Sequence, residues 1–355
     1  MIRPQSITDM SAMKACVIHA PHDLRVEELE PEPVGAAQAK VRVAAGGICG
    51  SDLHYYHAGG FGTVRIREPM ILGHEVAGVV AEVGAGVTAV KAGDRVAIDP
   101  SRPCGRCRFC LMGAANQCSD MRFYGSAMRF PHVQGAFRQE LVVEEHQCVA
   151  VPDSLDLTIA AMAEPLAVAL HACAQAGPLL GRSVIILGAG PIGSLVALAA
   201  RHAGAGRIAI TDVADAPLAV IRPFVDEAVN TASDAGAADR FSADRGQFDV
   251  VFEASGNPAA IRSALAFARP RARMVQVGLA GDEVSLPINM ITAKEIELAG
   301  TFRFHQEFGW AVAALAAGHI DPRPLLTEVL PLDDAVAAFT LASDRSRAMK
   351  VQLSF

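Results

Sequence analysis

The run GAGPIG at Gly188–Gly193 constrains this chain more than any other stretch. It follows the apolar segment SVIIL and opens an apolar helical pattern. In that setting G-x-G-x-x-G specifies a strand, a tight turn and a helix packed back on the strand. Gly188 allows the turn, Gly190 lets backbone approach a pyrophosphate, and Gly193 lets the helix lie close to the strand. With Pro191 and Ile192 between them, these residues present free N–H groups and the positive helix end to an anion. A plain glycine-rich turn is the bland alternative, and the flanking pattern speaks against it. Asp212 ends the next strand-like run, RIAITD. It falls about 20 residues on, where an acid accepts the adenosine ribose hydroxyls. Its carboxylate repels a 2′-phosphate, and Val213, Ala214, Asp215 and Ala216 follow with no cation among them. NAD is therefore favoured over NADP. Arg222, one helix further on, is the residue that could change this preference.

The rest of the chain supplies the frame for this unit. At about 150 residues per domain, 355 residues suggest roughly two domains. From Met13 to about Ala150 the sequence reads as β-rich, with MKACVIHA first and then Lys40–Val43, Val76–Val83 and Arg95–Ile98 between Gly, Pro and Asp turns. The texture changes near Leu155. An Ala-rich helical stretch, Thr158–Ala176, leads into SVIILG, RIAIT, FDVVFEAS and RARMVQVG, which alternate with helical patterns. That alternation predicts an α/β fold with a doubly wound parallel sheet. After about Ile296 the pattern is mixed, and AMKVQLSF reads as a strand. Residues 1–12 read as a poorly ordered extension, with Met13 an alternative start.

Composition narrows the function classes. Hydrophobic residues make up 51% of the chain, enough for large cores. Thirty-one basic against 38 acidic residues give a formal charge of −7, which disfavours nucleic acid as a partner. The first ten residues have no apolar core, so no secretion signal is read there. The most apolar region, Ser183–Ala200, is interrupted by Gly188, Gly190, Pro191 and Gly193, so no membrane span is expected and the cytoplasm is the default.

Eight cysteines could make four disulfides, but Cys104, Cys107, Cys110 and Cys118 crowd into fifteen residues. Four thiolates spaced C-x₂-C-x₂-C-x₇-C can close a tetrahedral shell, so the loop is read as a structural Zn²⁺ site, with an iron–sulfur site as rival. A second, open metal site is suggested by Cys49 in GICGSDLH and His74 in ILGHE, each following an apolar run. Its third ligand should be a carboxylate, Glu75 or Glu164.

GICGSDLHYY, LGHEVAGVV, the four-cysteine loop, AEPLAV and GAGPIG together resemble the zinc-containing medium-chain dehydrogenase/reductase superfamily. Within it the chain is similar to the sorbitol dehydrogenase branch, and SRPCGRCRFC, NQC, DMRFYGSAMRFPHV, AEPLAVALHA and GTFRF narrow the likeness to its members that act on sugar acids. The resemblance implies a GroES-like catalytic domain, residues 1–160 and 297–355, around a Rossmann coenzyme domain, residues 161–296. It implies Cys49 and His74 as catalytic zinc ligands, with Glu164 or Glu75 as the third, and a dimer or tetramer. The segment Met274–Leu286 is a candidate for pairing between copies. It further implies that Ser51 passes the substrate proton through the cofactor ribose to His54, whose ordinary pKa of about 6.5 suits a proton exit. Ser51 is also read as the cap of a helix beginning at Asp52. Arg303 in GTFRF matches a substrate-contacting arginine, Tyr56 and Phe123 are candidate pocket walls, and Arg122, Arg129 and His132 could reach the cleft. The implied reaction is oxidation of a sugar-acid alcohol with NAD. A polyol dehydrogenase is the near alternative, and a non-catalytic nucleotide binder the distant one.

Overall fold

A computed structural model describes residues 12–281 and 283–355; the expected extension lies outside them except for Ala12. The coenzyme half is built on a six-stranded parallel sheet. Its strands lie in the order Glu227–Asn230, Arg207–Asp212, Ser183–Leu187, Phe248–Glu253, Ala268–Gln276 and Glu297–Gly300. Starting from Ser183–Leu187, the order runs outward in both directions, which is the doubly wound arrangement. Ser183–Leu187 is buried apart from its first residue, because helices cover both faces of such a sheet. The short strand Glu227–Asn230 carries little apolar signal and is not evident from sequence.

The catalytic half is a mixed sheet that runs Cys148–Ala150, Arg95–Ile98, Glu75–Val83, Gln38–Gly47, Lys350–Ser354 and Leu326–Pro331, with Glu140–Glu144 also on Gln38–Gly47. Lys350–Ser354 therefore sits in the interior of the sheet, between Leu326–Pro331 and a strand some 300 residues earlier, with Gln352 facing Gly47 and Ser354 facing Ala45. The core of this half gathers Ile18, Val41, Phe137, Phe339 and Leu353.

Two expectations shift. Glu297–Gly300 pairs in parallel with Ala268–Gln276, so the strand at the expected return point of 297 still belongs to the coenzyme sheet. The same pairing places Met274–Gln276, the start of the segment Met274–Leu286, between two strands, so that part of it cannot form a strand pair with another copy. Glu297–Gly300 is instead one of the two edges of this sheet, with Leu298 exposed, and Glu227–Asn230 is the other.

The Ala-rich stretch forms two helices, Leu157–Ala160 and Ala163–Ala176. Together they are long and apolar enough to cross a membrane, but most of the run is buried in the fold. Ala163–Ala176 packs on Glu75–Val83 of one sheet and Ala268–Gln276 of the other. Its alanines allow that close approach, and one apolar cluster runs from Ala77 and Phe123 through Leu166 to Ile186 and Phe252. The cleft between the sheets opens beside this shared helix, with Glu164 in its first turn.

Candidate active site

The Gly50–Ala58 helix begins with Cys49 as its N-cap. The Cys49 N–H donates to Asp52 Oδ2 at 3.0 Å. The other oxygen, Asp52 Oδ1, accepts from the Gly73 N–H at 3.1 Å. A fully buried carboxylate thus staples the turn carrying Cys49 to the turn carrying His74. Gly73 has φ +90°, and a Cβ there would lie 2.1 Å from Phe137, so only glycine leads into His74 without strain. Ser51 is consequently inside the first helical turn and is not the cap expected for it, because Asp52 supplies the bond at the N-terminus.

Ligand atoms of Cys49, His74 and Glu75 all lie within 4.8 Å of one another. Cys49, His74 and Glu164 line a cavity of about 230 Å³ together with Ser51, Tyr55, Phe123 and Arg303. Glu75 is absent from the cavity wall and accepts from Lys350 Nζ through Oε1 at 2.7 Å. Gly47 leaves room for it, since a Cβ there would be 2.1 Å from Glu75 Oε2. Burial pushes the Cys49 thiol up to about 12 and raises both Glu75 and Glu164, with Lys350 opposing the rise at Glu75. Burial acts to lower Lys350, but Glu75 and Cys49 outweigh it and hold the ammonium charged. His74 Nδ1 is buried and has no hydrogen-bond partner. A soft thiol, an imidazole and the Glu75 carboxylate around one desolvated point, with the Lys350 ammonium beside them and Glu164 on the adjoining cavity wall, are a donor set that Zn²⁺ fits. Of the two carboxylates, Glu164 faces the cleft and Glu75 is held back by its cation.

Helical phase decides the walls. Tyr55, four residues after Ser51, lines the cavity and its hydroxyl accepts from the Ala127 N–H at 3.0 Å. Tyr56 does not line it, contrary to expectation. One residue turns its ring into the core, 5.4 Å from Phe339. Phe123 is in the cavity, 5.5 Å from His74. His54 lies outside the cavity, exposed, three residues after Ser51 and close to Phe61.

Arg303 also reaches the cavity, from a residue at φ +54°. Its guanidinium stacks over Phe123 at 4.1 Å and donates to Met128 Sδ at 3.2 Å. Arg122 and His132, expected as possible cleft residues, line a separate cavity with Arg102 and Arg138. Arg129 braces the loop instead, through Met121 O at 3.3 Å and Asp120 at 3.4 Å.

Cys104, Cys107, Cys110 and Cys118 form the second cluster, and none is in a disulfide. Cys107 Sγ lies 3.6 Å from Cys110 Sγ and 3.9 Å from Cys118 Sγ. Thiolates on a tetrahedral Zn²⁺ at about 2.3 Å stand about 3.8 Å apart, so the cluster has the size of that shell. N–H groups of Cys110 and Ser119 pull the Cys107 thiol down to about 5. The lobe touches the cleft through Asn116, which donates to Phe302 O at 3.0 Å, one residue before Arg303.

At the glycine turn, Gly188 has φ +103° and a Cβ on Gly193 would lie 1.8 Å from Gly188 O. Gly190 caps the Pro191–His202 helix, and a Cβ on it would meet nothing, so that face is open for a pyrophosphate. Gly188 and Asp212 line a cavity of about 570 Å³, while Ile192 points into the cleft beside Val277 and Leu279.

The alcohol dehydrogenase GroES-like domain family matches residues 35–153, and the zinc-binding dehydrogenase family matches residues 191–317. The chain is 46% identical over 316 residues to L-idonate 5-dehydrogenase (NAD(P)(+)) of Escherichia coli K12, covering 89% of this chain and 91% of that protein. The chain belongs to the zinc-binding dehydrogenases. Within that family it is also 35% identical over 346 residues to sorbitol dehydrogenase of Bacillus subtilis, covering 96% and 97% of the two chains. The crystal structure of L-idonate 5-dehydrogenase from E. coli K-12 superimposes with a TM-score of 0.93 at 43% identity, covering 97% of this chain and 98% of that one. For a zinc-binding dehydrogenase, the residues that sequence reasoning misses are Asp52 and Lys350. Asp52 carries no signal beyond its place in a helix start, and Lys350 meets Glu75 from 275 residues away.

Proposed function

We propose that this dehydrogenase oxidises a secondary alcohol of a sugar acid, L-idonate to 5-keto-D-gluconate, with a nicotinamide cofactor. The observation that carries the reading is Arg303. Its guanidinium lines the catalytic cavity, and no carboxylate among the described residues forms an ion pair with it. Desolvation lowers it to about 10 against the pull of Glu164. A cation removed from water and stacked on Phe123 is matched by an anionic substrate group, and a planar guanidinium suits a carboxylate.

Cys49, His74 and Glu164 would hold the catalytic zinc, with Glu75 and Lys350 behind them. When bound, zinc makes a substrate hydroxyl acidic and the nicotinamide accepts the hydride. Ser51, on the cavity wall, takes the hydroxyl proton. His54, three residues along the same helix face, receives it at the surface and exchanges it with solvent. Tyr55, Phe123 and Val277 exclude water from the reacting carbon. Arg303 anchors the carboxylate and so sets which carbon faces the nicotinamide. Gly188, Gly190, Pro191, Ile192, Gly193 and Asp212 seat the cofactor. Cys104, Cys107, Cys110 and Cys118 hold a structural zinc.

The catalytic half comprises residues up to about 160 and those beyond Gly300. Self-assembly through the edge Glu297–Gly300 fits an unpaired strand, and light scattering tests it. Eight unpaired cysteines suit a reducing cytoplasm. The substrate is tested by initial rates on L-idonate and sorbitol side by side, with wild type and Arg303→Leu. Wild type favours idonate, and the variant loses about 10- to 100-fold in kcat/KM on idonate but little on sorbitol. Preference for sorbitol, with no effect of the substitution, would assign a polyol dehydrogenase.

A further inference from the structure

The carboxylate of Asp212 is not alone. Its side chain is 4% exposed and its two oxygens are fully engaged. Oδ1 accepts from the N–H groups of Val213 at 2.8 Å and Ala214 at 3.1 Å. Oδ2 accepts from the Ala189 N–H at 2.8 Å and from an Arg345 guanidinium nitrogen at 2.8 Å. Arg345 comes from the other half of the chain, just past the Ala335–Ser343 helix, and its side chain is 60% exposed.

The two side chains line one cavity of about 570 Å³, with Gly188, Thr211, Val213 and Asn257. The remaining charged residue in its wall, Asp234, is clasped by Arg240 at 2.8 Å. Arg222, the cation expected from sequence to bear on cofactor choice, is exposed and does not line the cavity.

A lone acid at this position rejects a 2′-phosphate by charge repulsion. Here the acid is neutralised by a cation that spends a single hydrogen bond on it among the described residues. A guanidinium has five donors in a rigid fork, so most remain for a phosphate. Its exposure allows the side chain to shift without disturbing the core. We propose that Arg345 is a specificity-determining residue for the cofactor. Paired with Asp212 it permits NAD, and turned toward a 2′-phosphate it admits NADP, so the enzyme uses both. The choice between them is set by the catalytic half of the chain and not by the Rossmann sequence.

This inference rests on the coenzyme-site reading above but not on the choice of substrate. Its test therefore contains no substrate. Equilibrium titrations of NADH and NADPH, followed by nicotinamide fluorescence, are run on the zinc-loaded wild type, Arg345→Gln and Arg345→Lys. Competition by 5′-AMP and 2′,5′-ADP isolates the ribose end. Wild type binds both dinucleotides within about tenfold of each other. Arg345→Gln weakens NADPH and 2′,5′-ADP at least tenfold and NADH and 5′-AMP less than threefold, and Arg345→Lys restores most of the loss. Three results would overturn the proposal: a wild type that does not bind NADPH, equal weakening of both dinucleotides, or no effect of either substitution. Equal weakening would make Arg345 a clasp between the halves and nothing more. Rates on idonate and sorbitol decide the substrate separately.

Discussion

Single residues in this protein do more than their chemistry alone announces. Ser51 is a serine in the first turn of a helix, an ordinary place for one. What distinguishes it is the wall it shares with Cys49, His74 and Glu164. Replacing Ser51 with Ala should lower kcat on the order of 100-fold or more, the usual weight of a positioned proton acceptor, while zinc content stays unchanged. Metal analysis beside steady-state rates checks this, and full turnover would remove Ser51 from the proton path. At the same scale lies the main gap in what sequence can convey. Tyr55 and Tyr56 are adjacent and identical, so only the phase of the helix against the core tells which one lines the cavity. Ser51 reads as a cap because serine caps well, yet Asp52 outcompetes it by reaching back to Cys49. Arg345 and Lys350 lie 133 and 275 residues from their partners, a distance that no local pattern spans.

Elements are more legible than residues. Met13–Ala20 and Arg95–Ile98 begin and end where the apolar runs do. The glycine turn is legible in full, because the close approach of Gly193 to Gly188 leaves no alternative residue. The strand Glu297–Gly300 is not, since its sequence, exposed at three of four positions, reads equally as the start of the returning segment. The four-cysteine lobe reads as a metal site from spacing alone, but its bond from Asn116 to Phe302 O is invisible there. That bond links the lobe to the segment that presents Arg303. On the proposed reading, Cys107→Ser should lower the zinc content by one ion per chain, lower the Tm and raise KM for a sugar-acid substrate, while zinc bound at Cys49 is retained. Zinc per chain and a thermal melt measure the first two effects. Retention of both ions would show that the lobe does not depend on Cys107.

The two halves of the molecule share the Ala163–Ala176 helix, which packs on both sheets. Its His171 meets the returning segment through Glu307, Nδ1 to Oε1 at 3.0 Å. Burial acts to raise Glu307, but the His171 bond and the His305 N–H outweigh it and hold the carboxyl at about 2, below its ordinary 4.5. A folded value below the unfolded one adds stability that is present above about pH 4.5 and is lost as the pH falls toward about 2. Glu307→Gln should therefore be less stable than wild type at pH 7, by about 1–3 kcal/mol. The gap between them should close between pH 4.5 and 2. Thermal melts across that range test it, and a gap independent of pH would mean that Glu307 acts by packing alone.

The placement of Lys350–Ser354 between Gln38–Gly47 and Leu326–Pro331 has a practical corollary for recombination. Neither half can be grafted onto another scaffold with a single junction, because the catalytic sheet is closed by a strand encoded on the far side of the coenzyme unit. A chimera that imports a new nucleotide-binding module must be spliced twice, once before Ser183 and once after Gly300, and must keep the downstream splice upstream of Arg345. A fusion with one seam leaves the host sheet without its interior strand and the buried Glu75 without its ammonium partner.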